Sequence, residues 1–162
     1  MTASRETIDL ALLSLLTTAV NFETVSRKWE DWQDAPLNAQ GAAAIPDMPA
    51  LIQYKGPETT EYKGARGQPK IRFWKYWLMV YWKIPPDDTP GIPGTTAGVS
   101  VLNPLLDVID ALFNPSALDD GVQTLGGLVI DVRIDGETTT ALGDHDPSGL
   151  CGAVIPLVIL VQ

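Results

Sequence analysis

The stretch IRFWKYWLMVYWKI, Ile71 to Ile84, decides the fold. Successive side chains of an extended chain point to opposite faces of a sheet. The even positions put Arg72, Trp74, Tyr76, Leu78, Val80 and Trp82 on one side. The odd positions put Ile71, Phe73, Lys75, Trp77, Met79, Tyr81 and Lys83 on the other. A strand with one wetted face alternates apolar and polar residues, and this one does not. One face can lie on the chain's own core, but the other needs a second cover, from the rest of the chain or from another subunit. Trp74, Tyr76 and Trp82, or else Trp77 and Tyr81, are therefore the candidate subunit or partner interface, since aromatic side chains commonly anchor interfaces.

Outward from this strand, Glu6 to about Val20 reads as an amphipathic helix, with Ile8, Leu12, Leu15 and Leu16 near helical spacing and Ser4 as N-cap. Phe22–Trp29 suits a short strand and Ala50–Tyr54 a second one. Residues 31–49, 55–69 and 85–99 are rich in proline and glycine and read as flexible loops. Asn103-Pro104 is a helix start, Asn as cap and Pro at the first helical position, with Leu105, Leu106, Val108, Ile109 and Leu112 facing inward. Leu128–Ile134 alternates, with Leu128, Ile130, Val132 and Ile134 expected inside, and Asp135-Gly136 signals a turn. A polar loop over 137–150 leads to the apolar strand Ala153–Val161, where Pro156 requires a bulge or an edge. The expectation is one α+β domain over 1–162: a mostly antiparallel sheet of four to five strands with two helices packed on one face.

A chain of 162 residues with 45% hydrophobic composition and 5 Trp has the means to build a real core. Its longest apolar stretch, Ala153–Val161, falls short of the ~20 residues of a membrane helix, so no membrane partner is expected. Glu6 and Asp9 sit where a secretory signal needs positive charge, which points to a cytosolic start. Cys151 is the sole cysteine; it cannot form an internal disulfide and reads as a buried, inert thiol. The net charge of −9 falls wholly on the second half, where Lys83 and Arg133 are the only basic residues. That balance argues against a nucleic-acid grip, which needs a basic face.

Chemical motifs are few. Asp144-His145-Asp146 brings the only histidine beside carboxylates, but adjacent residues on a polar loop are more often just solvated. Gly126-Gly127 precedes a strand, whereas a phosphate cradle precedes a helix. The aspartate pairs lack the spacing and terminal Glu of a calcium loop. No catalytic, metal or cofactor set is expected, and the chain does not read as an enzyme.

The order of elements resembles the tail terminator proteins of long-tailed bacteriophages, also called tail completion or minor tail proteins. The resemblance is carried by the N-terminal helix, the strand entry Pro49-Ala50-Leu51, the aromatic central strand and the helix Asn103–Leu112. It continues through Gln123-Thr124-Leu125-Gly126-Gly127-Leu128-Val129, Ile134-Asp135-Gly136 and the closing apolar strand. It implies a virion protein, assembled in the host cytoplasm, that forms a ring, usually a hexamer. Such a ring caps the tail tube, stops its polymerisation and offers a surface to the head–tail connector. DNA would pass through without specific binding, and Asp131, Asp135, Glu137, Asp144 and Asp146 are candidates for an acidic channel lining. The loops 55–69, 85–98 and 137–149 would meet tube or connector. The alternatives are a head-closure or other minor virion protein, or a small-molecule-binding or enzymatic domain with a cleft near Asp144–Asp146.

Overall fold

The computed structural model describes residues 3–27, 49–62, 70–83, 96–114, 116, 118, 121–141 and 150–162. Helix α1 (Arg5–Ala19) starts where Ser4 Oγ accepts the Thr7 N–H at 3.1 Å, and it buries Ile8, Leu12 and Leu16 at four-residue intervals. Strands β1 (Thr24–Ser26), β2 (Ala50–Tyr62) and β3 (Lys70–Lys83) follow. Helix α2 (Thr96–Phe113) leads to β4 (Asp131–Ile134), β5 (Thr139–Ala141) and β6 (Leu150–Val161). The six strands form one sheet in the order β1-β2-β3-β6-β4, with β5 also on β6. Only the β1–β2 pairing is parallel.

The aromatic strand is central, as its two apolar faces require: β3 lies between β2 and β6 over nearly its whole length. Both helices lie on the even-numbered face. Ile8, Leu12 and Leu16 of α1 and Leu105, Ile109 and Phe113 of α2 share one core with Trp74, Tyr76, Leu78 and Val80. The α+β class with helices on one face thus holds, with six strands where four to five were expected.

Four boundaries differ from the sequence reading. The 55–69 connection is strand as far as Tyr62, because Gly56 and Pro57 are absorbed as a bulge. Lys55 pairs with Tyr76 and Glu58 with Trp74, so two residues stand opposite Lys75. Helix α2 starts at Thr96, and Pro104 sits inside it rather than at its first position. The predicted strand from Leu128 is shortened to Asp131–Ile134, because Leu125, Gly126 and Gly127 all take positive φ in a turn. Val132 is buried and Leu128 and Ile134 pack against the core, as expected; ahead of β4 the alternation fails, with Val129 buried and Ile130, expected inside, 43% exposed. The polar loop after Gly136 contains β5, held by pairing to β6.

Pro156 causes no bulge, since β6 keeps register with β3 through Trp77↔Pro156. Its carbonyl accepts the Asp135 N–H at 2.9 Å. A residue's N and C=O point the same way from an antiparallel strand. The missing N–H therefore faces the gap between β5, which pairs with 152–154, and β4, which pairs with 157–160. No ladder bond is lost there.

Candidate interaction surface

The even face is closed by the chain itself. Trp74 and Tyr76 are each 1% exposed. The Tyr76 hydroxyl donates to an Asp9 carboxylate oxygen on α1, and Gln53 Nε2 donates to the Asp9 carbonyl at 2.9 Å. Burial, reinforced by the Asp9 carboxylate, pushes the Tyr76 phenol far above its usual range. Arg27 bridges Glu6 at 2.8 Å and Asp9 at 3.2 Å, pinning the start of α1 beside β1. Trp82 is half-buried on the same face, with Leu102, Leu106 and Cys151. The Cys151 thiol donates to the Trp82 carbonyl at 3.3 Å, and burial pushes it up to about 11, which suits an inert role. Trp74 and Tyr76 therefore leave the list of interface candidates: sealed side chains have no surface to offer a subunit.

The odd face differs. Among the described residues no helix lies over it. Ile52, Met79 and Val158 in its middle are buried, Ile71, Phe73, Trp77, Tyr81, Val154, Pro156 and Leu160 are partly buried, and Tyr54 is 37% exposed. Two glycines let the rings lie flat across neighbouring strands. A Cβ at Gly56 of β2 would stand 2.3 Å from the Trp77 ring, and one at Gly152 of β6 would stand 2.8 Å from the Tyr81 ring. Trp77 also meets Tyr54, ring centroids 6.0 Å apart. Trp77 and Tyr81 thus form a flat apolar shelf, with Lys75 exposed in the same row of β3.

A third region was not anticipated. At the end of the sheet a hollow of about 490 Å³ is lined by Arg5, Glu58, Thr60, Tyr62, Lys70, Arg72 and Gln162. Arg5 forks onto Glu58 at 3.0 and 3.1 Å, and Lys55 meets the same carboxylate at 2.8 Å. The Arg5 guanidinium, with Lys55 behind it, holds Glu58 down to about 2. Lys55, Arg5 and Arg72 surround the Trp74 ring, 4.4, 5.6 and 5.9 Å from its centroid. These basic residues are scattered in sequence. The β2–β3 register gathers Lys55, Lys70 and Arg72, and the packing of α1 on the sheet adds Arg5, so spacing carried no signal of the cluster.

The acidic candidates separate. Asp131 accepts the Gln123 N–H at 3.3 Å, while Asp135 and Glu137 are exposed beside the β4–β5 turn. Asp144 and Asp146, with His145, lie outside the described residues, as do 63–69, 84–95 and 142–149 of the proposed contact loops. Among the described residues no three His, Cys, Asp or Glu side chains gather as a metal site, and no helix is long and apolar enough to cross a membrane. No family model and no curated protein matches this chain.

Proposed function

We propose that this chain is a structural subunit of a phage tail, a tail terminator that assembles as a ring, caps the tail tube and presents a surface to the head–tail connector. One observation carries this reading: the shelf of Trp77 and Tyr81, with Tyr54, Phe73 and Leu160 around it, is only partly buried, on a face that no described helix covers. Contiguous apolar surface of this kind marks an interaction site. A closed ring repeats one heterologous contact, so each subunit carries two different patches. The net charge of −9 suits a protein that lets DNA pass rather than gripping it.

Light scattering after size exclusion, with negative-stain images of the same fractions, tests the reading. The expected result is a ring of several copies; a monomer at every concentration refutes it. Two substitutions sharpen the test. Trp74→Ala should cost about 3–5 kcal/mol of fold stability, because that ring is sealed in the core. Trp77→Ala should leave the fold largely intact and weaken assembly. Equal loss of folding in both variants would move Trp77 from interface to core.

A further inference from the structure

We infer that the basic hollow formed by Arg5, Lys70 and Arg72 receives the acidic β4–β5 turn, Asp135 to Glu137, of a second copy of this chain. The inference rests on the ring reading and specifies the polar part of its contact. Within the hollow three cationic side chains face one carboxylate, Glu58, which is already engaged by Arg5 and Lys55. Lys70 reaches the Tyr62 ring, 5.2 Å to its centroid, and Arg72 the Gln162 backbone oxygen at 3.4 Å; neither has an Asp or Glu side chain as partner among the described residues. The chain as a whole is strongly acidic, so this excess of positive charge is local and opposite in sign to the remainder.

The complement sits at the far edge of the same sheet. Around the β4–β5 turn Asp131, Asp135 and Glu137 outnumber the single Arg133, and Asp135 and Glu137 are exposed. The hollow lies at β2 and β3, the turn beyond β6, in the strand order β2-β3-β6-β4. Two to three strand spacings, roughly 10–14 Å, separate them within one rigid sheet. A single copy cannot bring the two together. Two copies in head-to-tail arrangement can, and such a contact repeats around a ring. Polyanionic DNA is a poorer occupant, since its many phosphates would meet the acidic remainder of the surface. The assignment moves Asp135 and Glu137 from a channel wall to the subunit contact.

The test uses two charge-reversed full-length chains, Lys70→Glu/Arg72→Glu and Asp135→Lys/Glu137→Lys, followed by sedimentation velocity, with tryptophan fluorescence to check that each is folded. Each alone should associate about tenfold more weakly than the unaltered chain or worse. An equimolar mixture should regain assembly, because each reversed hollow then meets a reversed turn. The association of the unaltered chain should also weaken as salt rises. Assembly of both variants on their own at unaltered strength overturns the inference and leaves the ring reading standing. Loss in both without recovery on mixing overturns the pairing. A monomeric unaltered chain removes both, and a DNA duplex bound through Lys70 and Arg72 would replace the second copy by nucleic acid.

Discussion

Gly56 and Gly152 are where single residues shape the exposed face. Each lies under an aromatic ring from β3, and each leaves room that any side chain would fill. Gly56→Ala should lift the Trp77 ring from β2 and destabilise the fold by about 1–3 kcal/mol through overpacking, seen as a lower urea midpoint and a shifted Trp emission. An unchanged midpoint would mean that the ring has another seat. Glu58 offers a second test at this scale. Its carboxyl titrates lower in the folded chain than its ordinary 4.5, chiefly through the hydrogen bonds from Arg5. The pair's contribution is therefore complete above pH 4.5 and is lost as pH falls towards about 2. The pair is solvent-accessible, so its contribution is roughly 1 kcal/mol or less. The stability difference between the unaltered chain and Glu58→Gln should shrink through that acid window in urea titrations. A difference that stays constant with pH would separate Glu58 from the effect.

Among the elements, the turn after α2 shows how a short polar motif fixes packing. Gln123 Nε2 donates to the Leu112 carbonyl at 3.1 Å near the end of α2, and its Oε1 accepts the Leu125 N–H at 3.2 Å. Leu125 there takes φ of 51°, a left-handed conformation that a bulky residue adopts only when its surroundings hold it. Gln123 is thus the tie between α2 and the turn into β4. Gln123→Ala should cost about 1–2 kcal/mol, because a helix-end carbonyl and a turn N–H lose their partners together. Hydrogen exchange should quicken at Leu125 and in the last turn of α2 while β3 stays protected. Uniform quickening across the sheet would argue against a local tie. The same turn explains why the periodicity of Leu128–Ile134 failed at Ile130: alternation assumes an unbroken strand, and β4 begins only at Asp131, where Val132 and Ile134 again face inward.

For the whole molecule, the sheet has one face under both helices and one face that no described helix covers. Burying the remaining exposed part of the aromatic shelf in a neighbour would add stability that a lone subunit lacks. The apparent unfolding temperature should therefore rise with protein concentration, as for any fold linked to association. Differential scanning calorimetry over a hundredfold concentration range measures this. A midpoint independent of concentration would show that assembly contributes nothing to the fold.

Some of this was determined by the sequence alone. Continuous apolar residues on both faces of Ile71–Ile84 require cover for each face, since a strand with one wet face would alternate apolar and polar residues. The amphipathic spacing of Ile8, Leu12 and Leu16 similarly requires a helix lying on a sheet. Local patterns of this kind are read directly, because each residue's neighbours along the chain set its periodicity. Tertiary structure decided the rest. Strand pairing carried β2 through Gly56-Pro57 to Tyr62, and residues before Asn103 joined α2 despite Pro104. Packing determined that Trp74 and Tyr76 are sealed under the helices while Trp77 and Tyr81, on the other face, are only partly buried. Register and the docking of α1 brought Lys70, Arg72 and Arg5 to one hollow. Such choices depend on contacts between residues far apart in the chain, and no periodicity along it records which partner each strand will meet.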